Sequence, residues 1–254
     1  MPRWITTSLI AVSAMLLISF AAPAQRRGAG DAPSGKPAAP APEHDLSGVW
    51  LIASRAQSLS NAAPPFTPAG EAQFKANIPG FGPRATPGGN DPINHCDPMG
   101  IPRSLLSDRP IQFLHTPGRT LQFLEWNHTW RDIWTDGREL PKDPDPKWFG
   151  TSVGKWQGDT FVVDTMGFDE RTWLDSLGYP HSDAMRLQER YRRVDFDTIE
   201  LTITLDDPKF YTKQWVSDKK IYRLQPQQLI EEGYCVGSEE EAFQQQMRNP
   251  AMGK

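Results

Sequence analysis

The chain of 254 residues contains two cysteines and five histidines. No second Cys or His stands at C-x-x-C or H-x-x-x-H spacing, which disfavours a zinc site. Positive charge is not in surplus either: 27 Lys and Arg face 31 Asp and Glu, for a net charge of −4. Removing residues 1–24, whose only formal charge is Arg3, makes the balance one unit more negative. Such a chain lacks the basic surface with which proteins neutralise nucleic-acid phosphates. Long helical periodicity is scarce, and 24 prolines break the chain repeatedly. A protein built of long helices is therefore not expected.

What is present begins with an address. Arg3, the apolar stretch Ile5 to Phe20 and the A-x-A site Ala22-Pro23-Ala24 form a secretion signal, so residues 1–24 are expected to be removed on export to the periplasm or beyond. The apolar run falls short of the ~20 residues a membrane span needs. Residues 25–45, dominated by Ala, Pro and Gly, read as a disordered linker. Residues 46–238 then form a single domain, followed by a polar tail over 239–254. In an oxidising compartment Cys96 and Cys235 are expected to pair, closing a loop of about 140 residues and contributing about 3 to 5 kcal/mol in the chain-entropy picture.

Within the domain the dominant period is two. Leu46–Ile52 is the first expected strand. A long Pro/Gly-rich connection follows, with room for one helix over Pro68–Asn77, capped by Thr67 and opened by Pro68. Hairpins then succeed one another: 111–116 with 120–126, 128–135, 151–157 with 160–165, 187–194 with 198–205, and 213–224 with 229–235. With hardly any helix between them, these strands predict an all-β antiparallel meander closing into a barrel, which removes exposed edges. A turn at Phe196-Asp197 would set Glu189 and Tyr191 opposite Thr204 and Thr202, and Arg193 opposite Glu200. A one-residue slip would exchange the two faces.

Several clusters carry possible chemistry. Along 128–134, His128, Trp130, Asp132 and Trp134 alternate onto one face and Arg131 and Ile133 onto the other. An imidazole and a carboxylate between aromatic walls suit acid/base work in an apolar cavity, and an amphipathic strand with packed Trp residues is the plain alternative. The stretch 168–183 holds Trp173, Asp175, His181 and Asp183, a loop rich enough to form a lid or to act with Glu189. Arg190, Arg192 and Arg193 sit among acids, which favours cross-strand pairing over capture of an anion. Gly150-Thr151-Ser152-Val153-Gly154 matches G-x-S-x-G, but the following residues continue a strand rather than the helix that a nucleophile elbow requires.

With these residues in view, the chain resembles a family of exported bacterial proteins of unassigned function. The likeness runs from Leu46-Ser47-Gly48-Val49-Trp50 through Cys96-Asp97-Pro98 and Trp134-Thr135-Asp136-Gly137-Arg138 to Pro180-His181-Ser182-Asp183 and Asp207-Pro208. Its most specific part is W-x-G-D-T-x-V-V-D-T-x-G-F, from Trp156 to Phe168. The chain departs from the family pattern at Gln157, at Asp169 and at Val236-Gly237-Ser238. The resemblance implies a lipocalin-like barrel.

The reading that follows is an exported barrel holding a small apolar or aromatic molecule, with Trp130, Trp134, Trp173, Tyr191 and Arg190 around it and no cofactor. A second reading is a cofactor-independent lyase or isomerase. In it His128 or His181 moves the proton, Glu189 or Asp175 orients the imidazole, and Arg131 or Arg190 stabilises an oxyanion. A third is a structural envelope protein whose Trp residues are core.

Overall fold

The computed structural model describes residues 39–252, apart from positions 54, 55, 57, 81, 87 and 88. The expected signal peptide and residues 25–38 of the expected linker lie outside them. Among the described residues ten strands form, and their limits follow the alternation of the sequence: β1 Gly48–Ile52, β2 Ile111–Thr116, β3 Arg119–Leu124, β4 Thr129–Trp134, β5 Thr151–Gln157, β6 Thr160–Met166, β7 Arg186–Asp195, β8 Thr198–Asp206, β9 Trp215–Val216 and β10 Lys220–Leu224. Helix α1, Pro68–Ala76, lies where the Thr67 cap and Pro68 place it, and the Thr67 hydroxyl accepts from Gly70 N at 3.1 Å.

β1 to β8 pair in chain order, and β10 pairs with both β8 and β1, closing a barrel; β9 adds to β8. A ring of nine strands cannot be antiparallel throughout, because direction must alternate an even number of times around a closed circuit. Among the strand pairs of this ring the one parallel pairing falls between β4 and β5, at Ile133↔Ser152 and Trp134↔Val153. Residues 135–150 supply the return crossing that a parallel pair needs. Here the all-antiparallel order expected of the meander is broken.

Trp50, Phe113, Phe161, Tyr191 and Tyr222 are all 1% exposed or less and fill the centre with Leu201, Ile203 and Leu205. Fully burying one large apolar side chain contributes roughly 1.5–3 kcal/mol. Packing is close enough that a Cβ on Gly154 would lie 2.6 Å from Phe161 and 2.7 Å from Ile133. Gly154 is thus a site of close approach inside β5, and Ser152 of the G-x-S-x-G run is buried in mid-strand against the Thr165 hydroxyl at 2.9 Å.

Register in the β7–β8 hairpin departs from the expectation. The turn frame holds at Asp195↔Thr198, but an irregularity between Arg193 and Asp195 shifts every pair beyond it by one residue. Glu189 therefore faces Ile203, Tyr191 faces Leu201, and Arg193 faces Ile199, all toward the core. Such a bulge adds a residue to one strand only, so it exchanges faces along the remainder of that strand.

The antiparallel register gathers tight turns at one end of the barrel, at 117–118, 158–159 and 196–197. The longer connections 53–110, 167–185 and 207–214 emerge at the other end, beside Glu125–His128. The turn end is covered by residues 39–47, that is, the last residues of the expected linker, 39–45, and the first two of the expected first strand. His44 stacks on Trp156 at 4.7 Å, Phe196 N donates to Ala39 O at 2.9 Å, and Leu46 is fully buried. Large side chains at His44 and Leu46 give this stretch what an Ala/Pro/Gly tether lacks.

Three further expectations change. The strand over 213–224 is interrupted at Ser217–Lys219 into β9 and β10. No strand forms over Leu229–Cys235; Leu229 is 77% exposed and Tyr234 62%, so the segment offers no buried face to a sheet. Beyond it, helix α2 spans Gly237–Phe243 and runs into what reads as a polar tail. The disulfide between Cys96 and Cys235 is present, with Cα atoms 5.4 Å apart, and ties the long connection to the C-terminal segment.

Candidate functional site

β3, β4 and β7 each turn polar side chains into the barrel, and these meet. Arg131 donates through Nη1 to Glu189 Oε1 at 2.9 Å, through Nη2 to Oε2, and through Nε to Gln122 Oε1 at 2.7 Å. Tyr191 donates its hydroxyl to Glu189 Oε2 at 2.6 Å, and Gln122 Nε2 donates to the Tyr191 oxygen at 3.3 Å. All four are buried. Burial pulls the Arg131 guanidinium down, but Glu189 and Tyr191 outweigh it and hold it charged. Burial, followed by the Glu189 charge, pushes the Tyr191 phenol far above its ordinary range. This closed ring satisfies its own charges and leaves them out of reach of a solute.

The remaining candidates do not join it. Because Arg131 and Ile133 face the core, the other face of β4 points outward: Trp130 is 55% exposed beside Phe123, and Asp132 pairs with Arg119 at 2.8 Å. Trp134 lies under the Arg138 guanidinium at 3.7 Å. The expected cavity face is thus the outer face, chosen by the apolar Ile133 and the paired Arg131. Arg190 is on the outer face of β7, donating to Gln157 at 3.3 Å, and Arg192 pairs with Asp159 at 2.7 Å.

His128 sits in the turn before β4 at φ 45°, exposed, with Nδ1 3.2 Å from Glu231 O. His181 is buried elsewhere. Its Nδ1 donates to Ser182 O at 3.1 Å, so its Nε2 accepts from the Thr172 hydroxyl at 2.6 Å. Burial lowers its pKa and keeps it neutral. A Cβ on Gly100 would lie 2.8 Å from Thr172, so backbone seals this pair. His128, His181 and Glu189 occupy three separate places, and the acid/base set built on them is not assembled.

The end bearing the long connections is different in kind. Asn127, at φ 57°, donates Nδ2 to Cys96 O at 3.3 Å and accepts Cys235 N at Oδ1 at 2.7 Å. It thereby holds both sides of the disulfide against the turn that precedes β4. Two cavities, of about 350 and 430 Å³, open beside it and share Arg109, Trp126 and Glu240. Ile93, Met99 and Leu106 give the smaller one an apolar wall, with Arg103, Arg109 and Ser176 as polar points. Arg103 is fixed by a buried two-bond pair with Asp91, at 2.8 and 2.7 Å, over the Trp173 ring at 5.7 Å. Arg109 is the accessible cation, its side chain 54% exposed and 3.5 Å from Glu125.

One buried polar atom in these walls and one beside them have no hydrogen-bond partner. The Trp126 indole N–H is one, and Asp175 Oδ2 is the other. Asp175 is fully buried, accepts Leu177 N at 2.9 Å through Oδ1, and adjoins Ser176 of the cavity wall. Burial raises its pKa to about 7. Buried polar atoms without partners are uncommon, and each calls for a physical explanation. Among the described residues no three of His, Cys, Asp or Glu are grouped to hold a metal ion, and no helix is long and apolar enough to cross a membrane.

Sequence reasoning named Asp175 and Trp173 but missed Trp126, Arg103, Arg109 and Asp91. These stand in irregular segments without a period. Their available signal was proximity to Cys96 and, for Trp126, to the strand end that the second cysteine reaches. Comparisons with protein-family models, curated proteins and solved structures find no match.

Proposed function

We propose that the protein binds a small, partly apolar molecule at the end of the barrel, in the cleft formed by the two cavities around Trp126 and Arg109. The observation that carries this reading is the pairing of concave volume with mixed walls. Cavities of about 350 and 430 Å³ share an indole and a guanidinium, beside the apolar side chains of Ile93, Met99 and Leu106. Sites for small molecules are typically concave, largely apolar and furnished with few polar groups. The barrel is the frame: its centre is packed, and its polar ring is satisfied from within. The disulfide supports an oxidising compartment outside the cytoplasm, periplasmic or beyond, as the resemblance to exported barrels also implies.

Titration with the neutral aromatic 2-naphthol, followed by calorimetry, tests the reading. Saturable binding that Trp126→Ala abolishes and Trp130→Ala leaves intact is the expected result. Binding that depends on Trp130 instead would move the site to the outer sheet face and refute the proposal.

An acid/base role has one observation in its favour, the buried Asp175 carboxyl, whose Oδ2 has no hydrogen-bond partner and whose pKa burial raises to about 7, next to Ser176 of the cleft wall. A reaction would then use Asp175 rather than the histidines. Turnover of a cleft-bound compound that Asp175→Asn abolishes without loss of binding would establish it.

A further inference from the structure

The return crossing between β4 and β5 leaves a groove on the outside of the barrel. Residues 137–140 of that crossing form one wall and β5 to β8 the floor, bounding a cavity of about 690 Å³ that shares no residue with the cleft around Trp126. Strand register orders the charges on the floor. Lys155 stands opposite Val162, Asp164 opposite Gln188 and Arg186 opposite Asp206, so Lys155, Asp164, Arg186 and Asp206 alternate in sign from β5 to β8. Elsewhere on the outside, Arg119, Arg192, Lys219 and Arg223 close onto acids at 2.7–3.3 Å. Here the charges stay apart. Asp164 and Asp206 accept the amides of Gln188 at 2.9 Å and Gln214 at 3.2 Å. Among the described residues Lys155 and Arg186 have neither an ion pair nor a side-chain hydrogen bond. Glu139 is a further acid of the crossing wall, while Arg138 is engaged by Asp136 at 2.6 Å and by the Trp134 ring.

Beyond the cleft, we propose that this groove binds a short zwitterionic peptide through its free ammonium and its free carboxylate. Lys155 and Asp164 are diagonal neighbours on one sheet face, a relation that separates them by about 7–8 Å. Two extended residues span about 7 Å, so a dipeptide matches this spacing better than a single amino acid, which spans half of it. The carboxylate goes to Lys155, because the residue opposite it is the apolar Val162, whereas Arg186 has Asp206 as its direct neighbour. The ammonium goes to Asp164. Val153, the strand partner of Asp164, and Leu140 of the crossing supply apolar surface for the side chains of the peptide. No aromatic ring lines the groove, so it offers no flat platform to a sugar or an aromatic body.

Three probes with one body separate the two charges: leucyl-alanine, its N-acetyl derivative, which lacks the ammonium, and its C-terminal amide, which lacks the carboxylate. Titrated by calorimetry into the protein with its disulfide intact, leucyl-alanine is expected to bind at least about fivefold more tightly than either derivative. Lys155→Gln should erase the preference over the amide and keep the preference over the N-acetyl form. Asp164→Asn, which keeps an oxygen for Gln188, should do the reverse. Lys155 is exposed and Asp164 half-buried, so neither change opens the core, and melting curves check that both variants fold. Trp126→Ala should leave all three affinities unchanged. Equal affinity for the three probes, or preferences that survive both substitutions, overturns the zwitterion assignment. Dipeptide binding that Trp126→Ala removes places the peptide in the cleft and overturns the groove, while the binding function of the cleft stands. No binding of leucyl-alanine, or binding of the neutral sugar maltose in its place, overturns the proposal, and the 2-naphthol titration judges the cleft separately.

Discussion

The barrel interior and the barrel end both hold arginines, acids and aromatic rings, yet they use them in opposite ways. Inside, Arg131, Glu189, Tyr191 and Gln122 bond to one another until no charge is left over. At the end, Arg109 has only a 3.5 Å contact with Glu125, Trp126 has an unpartnered N–H, and Asp175 an unpartnered oxygen. The contrast shows that chemically rich residues on regular strands need not form a site. In this molecule the strands consume their polar groups to specify one packing, and the irregular connections hold polar groups with unused capacity.

The comparison can be broken first at the ring. Glu189→Leu leaves Arg131 charged and buried, and chemical denaturation should show a loss of about 3–5 kcal/mol. Probe binding by the fraction that remains folded should be unchanged, and a selective loss of binding there would place the site inside the barrel. Asp175 offers the next largest effect. Its carboxyl holds a proton in the folded state between about pH 4 and 7, where the unfolded chain has lost it. The unfolded state then binds fewer protons, so stability falls as pH rises through that window and is flat above it. A shift from 3.8 to about 7 corresponds to up to ~4 kcal/mol across the window. Asp175→Asn should remove that slope from denaturation curves recorded at successive pH values, and an unchanged slope would assign the titration to another group.

Removing the disulfide with Cys96→Ser and Cys235→Ser should cost about 2–4 kcal/mol. Its sharper consequence is spatial: protease cleavage should increase within 229–243, while the strands keep their protection. Equal sensitisation of the barrel strands would mean that the link stabilises the core. The smallest effect is expected on the outer face, where Trp130→Ala should change stability by no more than about 0.5 kcal/mol and leave binding intact.

Much of the fold was legible because its signals are local. Thr67 and Pro68 announce α1, and Ile199, Leu201, Ile203 and Leu205 announce the inner face of β8. The two cysteines had one partner each to find. What stayed illegible depends on one residue more or less. The bulge near Val194 turned Glu189 and Tyr191 from the polar face to the core, and no pattern in Arg190-Tyr191-Arg192-Arg193 declares it. On β4 the Trp-rich face looked like the richer interior, but an arginine with a buried carboxylate partner can take the inner position. That partner is 58 residues away, beyond the reach of strand periodicity. The cleft was harder still, since 91–109, 126 and 231–243 meet only through the barrel's closure and the disulfide.

Hydrogen exchange with and without saturating 2-naphthol tests the binding cleft most directly. Added protection is expected at Glu125–His128 and Glu231–Phe243, with the amides of β4 and β7 around Arg131 and Glu189 unchanged. Protection centred on those interior strands, with none at the C-terminal wall, would contradict it.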